Sequence, residues 1–302
     1  MNWFFIALAA PALWALVNHI DKYIISKYFT GKGVGSLVLF TSLSGVIISV
    51  FILMFSYNSL NIGLIPAIII GVNGAILVAS FIPYLYALED EEASYVTSLF
   101  QLIPVFTYFL ALIFLHEYLT PIQIFASSLV VVGAILISFD FSHSIRFKIR
   151  PFLLMVLSTF MLAVNALIFK IVAVGANFWG TAFWEYIGGG IFGVILFFSF
   201  RLYREQFIAT IQKSKVTVLT LNTGSELFNI AAKLLANFAS LLVPLTLVWV
   251  VNGFQPMIVF IYGVILTIFI PRWGKEDLGK KVVIQKVSAM LIIFLGILLL
   301  FR

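Results

Sequence analysis

The sequence predicts an all-α polytopic membrane protein of ten transmembrane helices arranged as two inverted five-helix repeats, and three observations predict it. Of 302 residues, 63% are hydrophobic and only 10% charged, with a mean hydropathy of +1.15, whereas a soluble domain carries roughly 25% charged residues. The apolar residues fall into runs long enough for a span, about 20 residues for about 30 Å of hydrocarbon. The landmarks of the first half recur in the second. Ten spans leave only short connections, which excludes an appended soluble enzyme, receptor or nucleic-acid module. The chain has no cysteine, so disulfides and thiolate metal sites are excluded too.

The segments follow from hydropathy and from the signals that interrupt it. The first, 3–28, has no basic region before Trp3 and runs through Trp14 and Asn18 without a small-residue cleavage pattern; it reads as a retained helix, not a cleaved signal peptide. The second, 35–56, begins after Thr30-Gly31-Lys32-Gly33, and the third, 63–88, after Tyr57-Asn58-Ser59. The acidic run Glu89-Asp90-Glu91-Glu92 precedes the fourth, 93–115, and His116-Glu117 with Thr120-Pro121 precedes the fifth, 121–139. A basic stretch from Arg146 to Pro151 opens the sixth, 151–173, with the seventh at 179–200. The break Arg201 to Lys215 leads into the eighth, 215–240; Pro244 alone marks the ninth, 244–270; and Pro271 to Lys281 sets off the tenth, 282–301.

Residues 1–145 and 146–302 read as the two repeats. Asn18 with Lys22 finds Asn165 with Lys170, Asn73 finds Asn222, and Phe100-Gln101 with Pro104 finds Phe254-Gln255 with Pro256. Glu117 finds Glu276 and Gly133 finds Gly296, so the offset between partners rises steadily from 147 to 163, as small loop insertions require. An odd number of helices per repeat makes the second half enter from the opposite face, a plan that places a substrate site at mid-membrane between the halves.

Fifteen of the eighteen Lys and Arg lie in or beside the connections after segments one, five, seven and nine. The positive-inside rule then puts those connections in the cytoplasm and both termini outside, and it accounts for the net charge of +6 without a nucleic-acid partner. The location is a multi-pass one in the cell (inner) membrane.

A charged side chain at a helix centre costs roughly 2.5–3.5 kcal/mol on insertion scales, so such groups face an interior and find partners there. The eighth segment carries Glu226, Asn229 and Lys233 at i, i+3 and i+7, with Asn222 one turn earlier on the same stripe. The seventh carries Glu185 beside Trp184, the sixth Asn165 and Lys170, and the first Asn18, His19 and Asp21. Gln101, Asn252 and Gln255 sit beside Pro104 and Pro256, where proline frees backbone carbonyls. Tyr84 and Trp184 are candidates to floor a cavity. Two readings stay open: these groups contact solute or carry a coupling proton, or Glu185 and Glu226 balance Lys170 and Lys233 as structural ion pairs. His19, His116 and His143 are too scattered for a metal site, and no catalytic constellation, phosphate loop or cofactor motif is present.

Ser98-Leu99-Phe100-Gln101-Leu102-Ile103-Pro104, continuing through Leu115-His116-Glu117-Tyr118-Leu119-Thr120 to Gly133, resembles the EamA family of the drug/metabolite transporter superfamily, and Pro11 with Trp14 is similar to that family's opening. The resemblance implies a ten-helix 5+5 inverted repeat that moves small metabolites by alternating access. The charge distribution sets the termini opposite to that family's usual orientation. The function expected is a secondary active transporter of a small organic metabolite, an amino acid or similar zwitterion favoured, driven by protons or by exchange. The alternative is a lipid-linked carrier flippase or a non-transporting membrane subunit. Partners are then a small-molecule substrate and the lipid bilayer, for a monomer or homodimer.

Overall fold

The computed structural model describes residues 2–28, 33–90, 96, 99–138, 149–213, 216–270 and 279–300. The second-half turn with Glu276, the residues Glu91, Glu92, Ser98 and His143, and the basic residues Lys32, Arg146, Lys148, Lys215, Arg272 and Lys275 lie outside them. All regular structure among the described residues is helical: α1 Asn2–Tyr28, α2 Val34–Ser56, α3 Leu64–Asp90, α4 Leu102–Phe114, α5 Pro121–Ser138, α6 Ile149–Gly175, α7 Phe178–Ser199, α8 Arg201–Lys213, α9 Val216–Leu242, α10 Leu245–Val251, α11 Gln255–Phe269 and α12 Lys280–Leu300. Helix is the form that satisfies every backbone group within one segment, as hydrocarbon demands.

Seven of these stretches are long and apolar enough to cross a membrane, α10 and α11 counting as one, while α4 and α5 are apolar but shorter. Helix α9 is 27 residues long but carries Glu226 and Lys233 at its centre, which lowers its apolar character. The outward faces are apolar: Met54, Phe55, Leu64, Phe198 and Phe269 are all exposed, as lipid-facing side chains should be.

Local sequence explains the boundaries. Helix α5 opens with a capping box, in which the Gln123 N–H donates to Thr120 Oγ1 at 3.3 Å and the Thr120 N–H to Gln123 Oε1 at 3.0 Å, with Pro121 in the first turn. Helix α7 opens on Asn177, whose Oδ1 accepts the Gly180 N–H at 2.7 Å. The ninth apolar segment is not one continuous α-helix: a 3-10 turn at Asn252–Phe254 separates α10 from α11, directly ahead of Pro256.

One expectation is corrected. The stretch 201–215 reads as a break because of its charges, yet Arg201–Lys213 folds as the amphipathic helix α8. Tyr203 and Thr210 turn inward at helical spacing while Leu202, Ile208 and Ile211 stay exposed. It seats against the start of α2, where the Gly35 N–H donates to Gln206 Oε1 at 2.9 Å and Ser36 Oγ donates to Thr210 Oγ1 at 2.9 Å. A Cβ on Gly35 would stand 2.7 Å from the Tyr203 Cα, so only glycine permits this approach.

The helix ends sort into two groups. At one end, Arg150 pairs with Asp90 at 2.7 Å and the Gly33 N–H donates to Glu89 Oε1 at 3.3 Å, beside α8. At the other, Asn177 Nδ2 donates to the Ser59 carbonyl at 2.9 Å, Trp184 Nε1 donates to the Leu60 carbonyl at 2.9 Å, and Lys170 pairs with Glu117. The basic residues Lys27, Arg150, Arg201 and Arg204 thus belong to the first group.

Candidate functional site

Between these ends lies a cavity of about 110 Å³, lined by α1, α2, α3, α6, α7, α9, α10, Phe100, Ile103, Asn252 and Gln255. Its walls come from both halves of the chain. Helix α9 supplies the stripe Glu226, Asn229, Ile230 and Lys233, and α1 supplies Trp14, Val17, Asn18 and Asp21 at the same helical spacing.

Two polar centres sit in its wall. In the first, Asn165 Nδ2 and Asn73 Nδ2 both donate to Glu185 Oε1, at 2.8 and 3.0 Å. The two asparagines also exchange bonds with each other's backbone carbonyls, at 3.0 and 3.1 Å, stitching α3 to α6. Lys233 donates to Asn165 Oδ1 and stands 3.9 Å from Glu185 Oε1. In the second, Thr41 Oγ1 donates to Glu226 Oε1 at 2.5 Å, and Ser225 Oγ donates to Asp21 Oδ1 at 2.8 Å. This ties α1, α2 and α9 together through two carboxylates.

Aromatic rings form the apolar wall. Trp14 and Trp249 stack with centroids 5.9 Å apart and planes 13° from parallel, and Trp14 Nε1 donates to Asn229 Oδ1 at 3.0 Å. Tyr84 lies 5.3 Å from Phe100 and donates to Asn18 Oδ1 at 3.3 Å.

Of the residues singled out by sequence, Asn18, Asp21, Tyr84, Glu185, Glu226, Asn229, Lys233, Asn252 and Gln255 line the cavity. Asn165 stands behind the wall, reaching it through Lys233 and Glu185, and Gln101 is buried with its amide 3.5 Å from the Asn252 carbonyl. Asn222 is buried but outside the lining. His19 points elsewhere, its Nε2 2.9 Å from the Val259 carbonyl. Trp184 faces a separate groove between α3 and α7. Lys170 is engaged away from the cavity with Glu117 and the Val243 carbonyl. Its assumed balancing of the cavity acids therefore fails, because Glu117, from a turn 53 positions earlier, takes that charge.

Thr41 is a polar lining residue that sequence reasoning missed, as is its neighbour Ser42. Thr41 is one of several hydroxyls on α2, with Ser36, Ser42, Ser44 and Ser49, and nothing at helical spacing marks it as the partner of Glu226. Ser225, beside Glu226 in sequence, was equally silent. Glu117 was visible only as the marker of a turn.

The residues described hold no cluster of His, Asp or Glu suited to a metal ion. Residues 1–139 match the model of the EamA-like transporter family. Twenty-seven chains of solved structures also match. One, described only as the crystal structure of a protein, is 13% identical with a TM-score of 0.71 over 99% of this chain and 95% of its own, which speaks for the fold alone. No curated protein matches. The motif from Phe100 to Gly133 lies within the matched residues, so the first half of this multi-helix membrane chain is similar to the EamA-like transporter family.

Proposed function

We propose that the chain is a secondary active transporter of a small organic metabolite, working by alternating access between two inverted five-helix repeats, 1–145 and 146–302, in ten crossings. The observation that carries this is the central cavity: polar groups on α1, α2 and α3 meet those on α7 and α9 in an otherwise apolar bundle. The repeat is supported by a reciprocal contact. A Cβ on Gly133 would stand 3.0 Å from the Ala289 carbonyl and 3.1 Å from the Ile293 nitrogen, and one on Gly296 would stand 2.9 Å from the Ala126 carbonyl and 3.1 Å from the Val130 nitrogen. Each partner lies 163 positions from its counterpart, the relation that a two-fold axis imposes.

An amino acid or similar zwitterion is the cargo class we favour from the sequence, with a proton or a counter-solute as the driving partner; the ammonium end of that class has carboxylates to meet. A lipid-linked carrier flippase would need a headgroup site, whereas the described lining of the groove between α3 and α7 contains no charged residue. In proteoliposomes loaded with a mixture of amino acids and amines, the reconstituted protein should take up labelled solute faster when the same solute is inside. Filling the cavity with Gly45→Trp should abolish this while leaving reconstitution intact. Uptake equal to that of protein-free vesicles across the mixture would refute the transporter reading.

A further inference from the structure

The charged lining of the cavity is unbalanced. Three carboxylates, Asp21, Glu185 and Glu226, face a single ammonium, Lys233. That ammonium is engaged with Asn165 Oδ1 and Glu185. Asp21 accepts from Ser225, and Glu226 from Thr41 and the Asn229 side chain, so both have only neutral partners, and neither forms an ion pair among the described residues. Buried carboxylates without a counter-charge are costly in a low-dielectric interior, and removal of solvent without a partner is what a ligand cation corrects.

The hydrogen-bond inventory leans the same way. Glu226 is 8% exposed and its Oε2 has no partner, and Glu185 Oε2 is likewise open in the cavity wall, while Asn73 Oδ1 and Gln101 Oε1 are open behind it. Against these, Asn18 Nδ2 and the Tyr186 hydroxyl are open donors in the cavity wall. The excess of carboxylates over the one ammonium then favours a ligand that brings positive charge and donors to Asp21 and Glu226. A primary ammonium offers three N–H donors and no acceptor. The Trp14–Trp249 stack and the Tyr84–Phe100 pair give the remaining surface an aromatic face, suited to an apolar body and to the flank of a cation.

We propose that Asp21 on α1 and Glu226 on α9 form an ammonium-recognition subsite, and that the cargo is an amine with an apolar or aromatic body. The inference rests on the transporter reading for its physiological meaning, but not for the existence of the subsite. It replaces the zwitterion favoured from the sequence by an amine, because Lys233 is already engaged and a substrate carboxylate has no other cation in the lining to meet.

The test is equilibrium binding of labelled phenethylamine to the purified full-length protein in detergent, with phenylalanine and 2-phenylethanol as competitors. Phenethylamine should bind saturably, and 2-phenylethanol, which lacks the charge, should compete at least about tenfold more weakly. D21N and E226Q should each weaken binding by about tenfold or more, while the charge-conserving D21E and E226D retain most of it and so separate lost charge from lost folding. Phenylalanine competing as well as phenethylamine would assign the ammonium to an amino acid; weaker competition assigns it to a simple amine. No saturable amine binding to the wild-type protein, equal competition by the alcohol, or full binding in both D21N and E226Q would overturn the subsite. Amine binding that depends on Asp21 and Glu226 without any solute uptake would instead leave the subsite standing and remove the transporter reading.

Discussion

Glu117 shows how much a single side chain can hold. Its Oε1 accepts from Lys170 on α6 and its Oε2 accepts the Leu245 N–H at 2.8 Å, capping the first turn of α10. The backbone aims it: His116 lies at φ 53°, in the left-handed region, so that the Glu117 N–H turns back to the Ala111 carbonyl at 3.2 Å and ends α4. A non-glycine residue there carries a strain of roughly 1–2 kcal/mol. Lys170→Met should therefore strand a partly buried carboxylate and destabilise the protein by about 3 kcal/mol. The double variant E117Q/K170M should recover part of that loss, with thermal unfolding of the purified protein in detergent as the readout. Solute uptake by the double variant should persist, since neither residue lines the cavity. The turn was legible in the sequence as a break with a family motif; the ion pair was not, because nothing local links a turn at 117 to a lysine a helix and a half away.

Among the elements, α3 and α7 make the closest crossing. A Cβ on Gly74 would overlap the Glu185 carbonyl oxygen, and one on Gly188 would overlap the Gly71 carbonyl oxygen. Small residues of this kind let two helices meet backbone to backbone. By contrast, a Cβ on Gly224, in the interior of α9, would meet nothing within 4 Å. Gly188→Val should therefore cost several kcal/mol, seen as loss of the monodisperse protein in size-exclusion chromatography, because the backbone itself must shift. Gly224→Ala should raise stability by about 0.5–1 kcal/mol in thermal unfolding. Helix existence was readable from hydropathy throughout, because long apolar runs leave no other option in hydrocarbon. Helix α8 was not, since Arg201, Arg204 and Glu205 interrupt hydropathy without interrupting the helical spacing of Tyr203, Gln206 and Thr210. The stripe of Glu226, Asn229 and Lys233 was readable because all three share one helix, while Thr41, one of several hydroxyls on α2, depends on a tertiary contact that periodicity does not encode.

For the whole molecule, the two groups of helix ends set a topological question that charge answers in one direction. The described basic residues Lys27, Arg150, Arg201 and Arg204 gather at one end, with α8. If that end is cytoplasmic, as the positive-inside rule requires, both termini lie outside. A fluorescent protein that matures only in the cytoplasm, fused after Arg302, should then stay dark, and a fusion within the connection at 214–215 should glow; the reverse pattern would turn the molecule over. The glycine crossing of α3 and α7 has a mechanical consequence in either orientation. With no side chain between the two backbones, the halves can rotate about that point but cannot part there without baring carbonyls to lipid. In the alternating access proposed above, that crossing would serve as the fulcrum, so that whatever distance one mouth of the cavity gained, the other would give up.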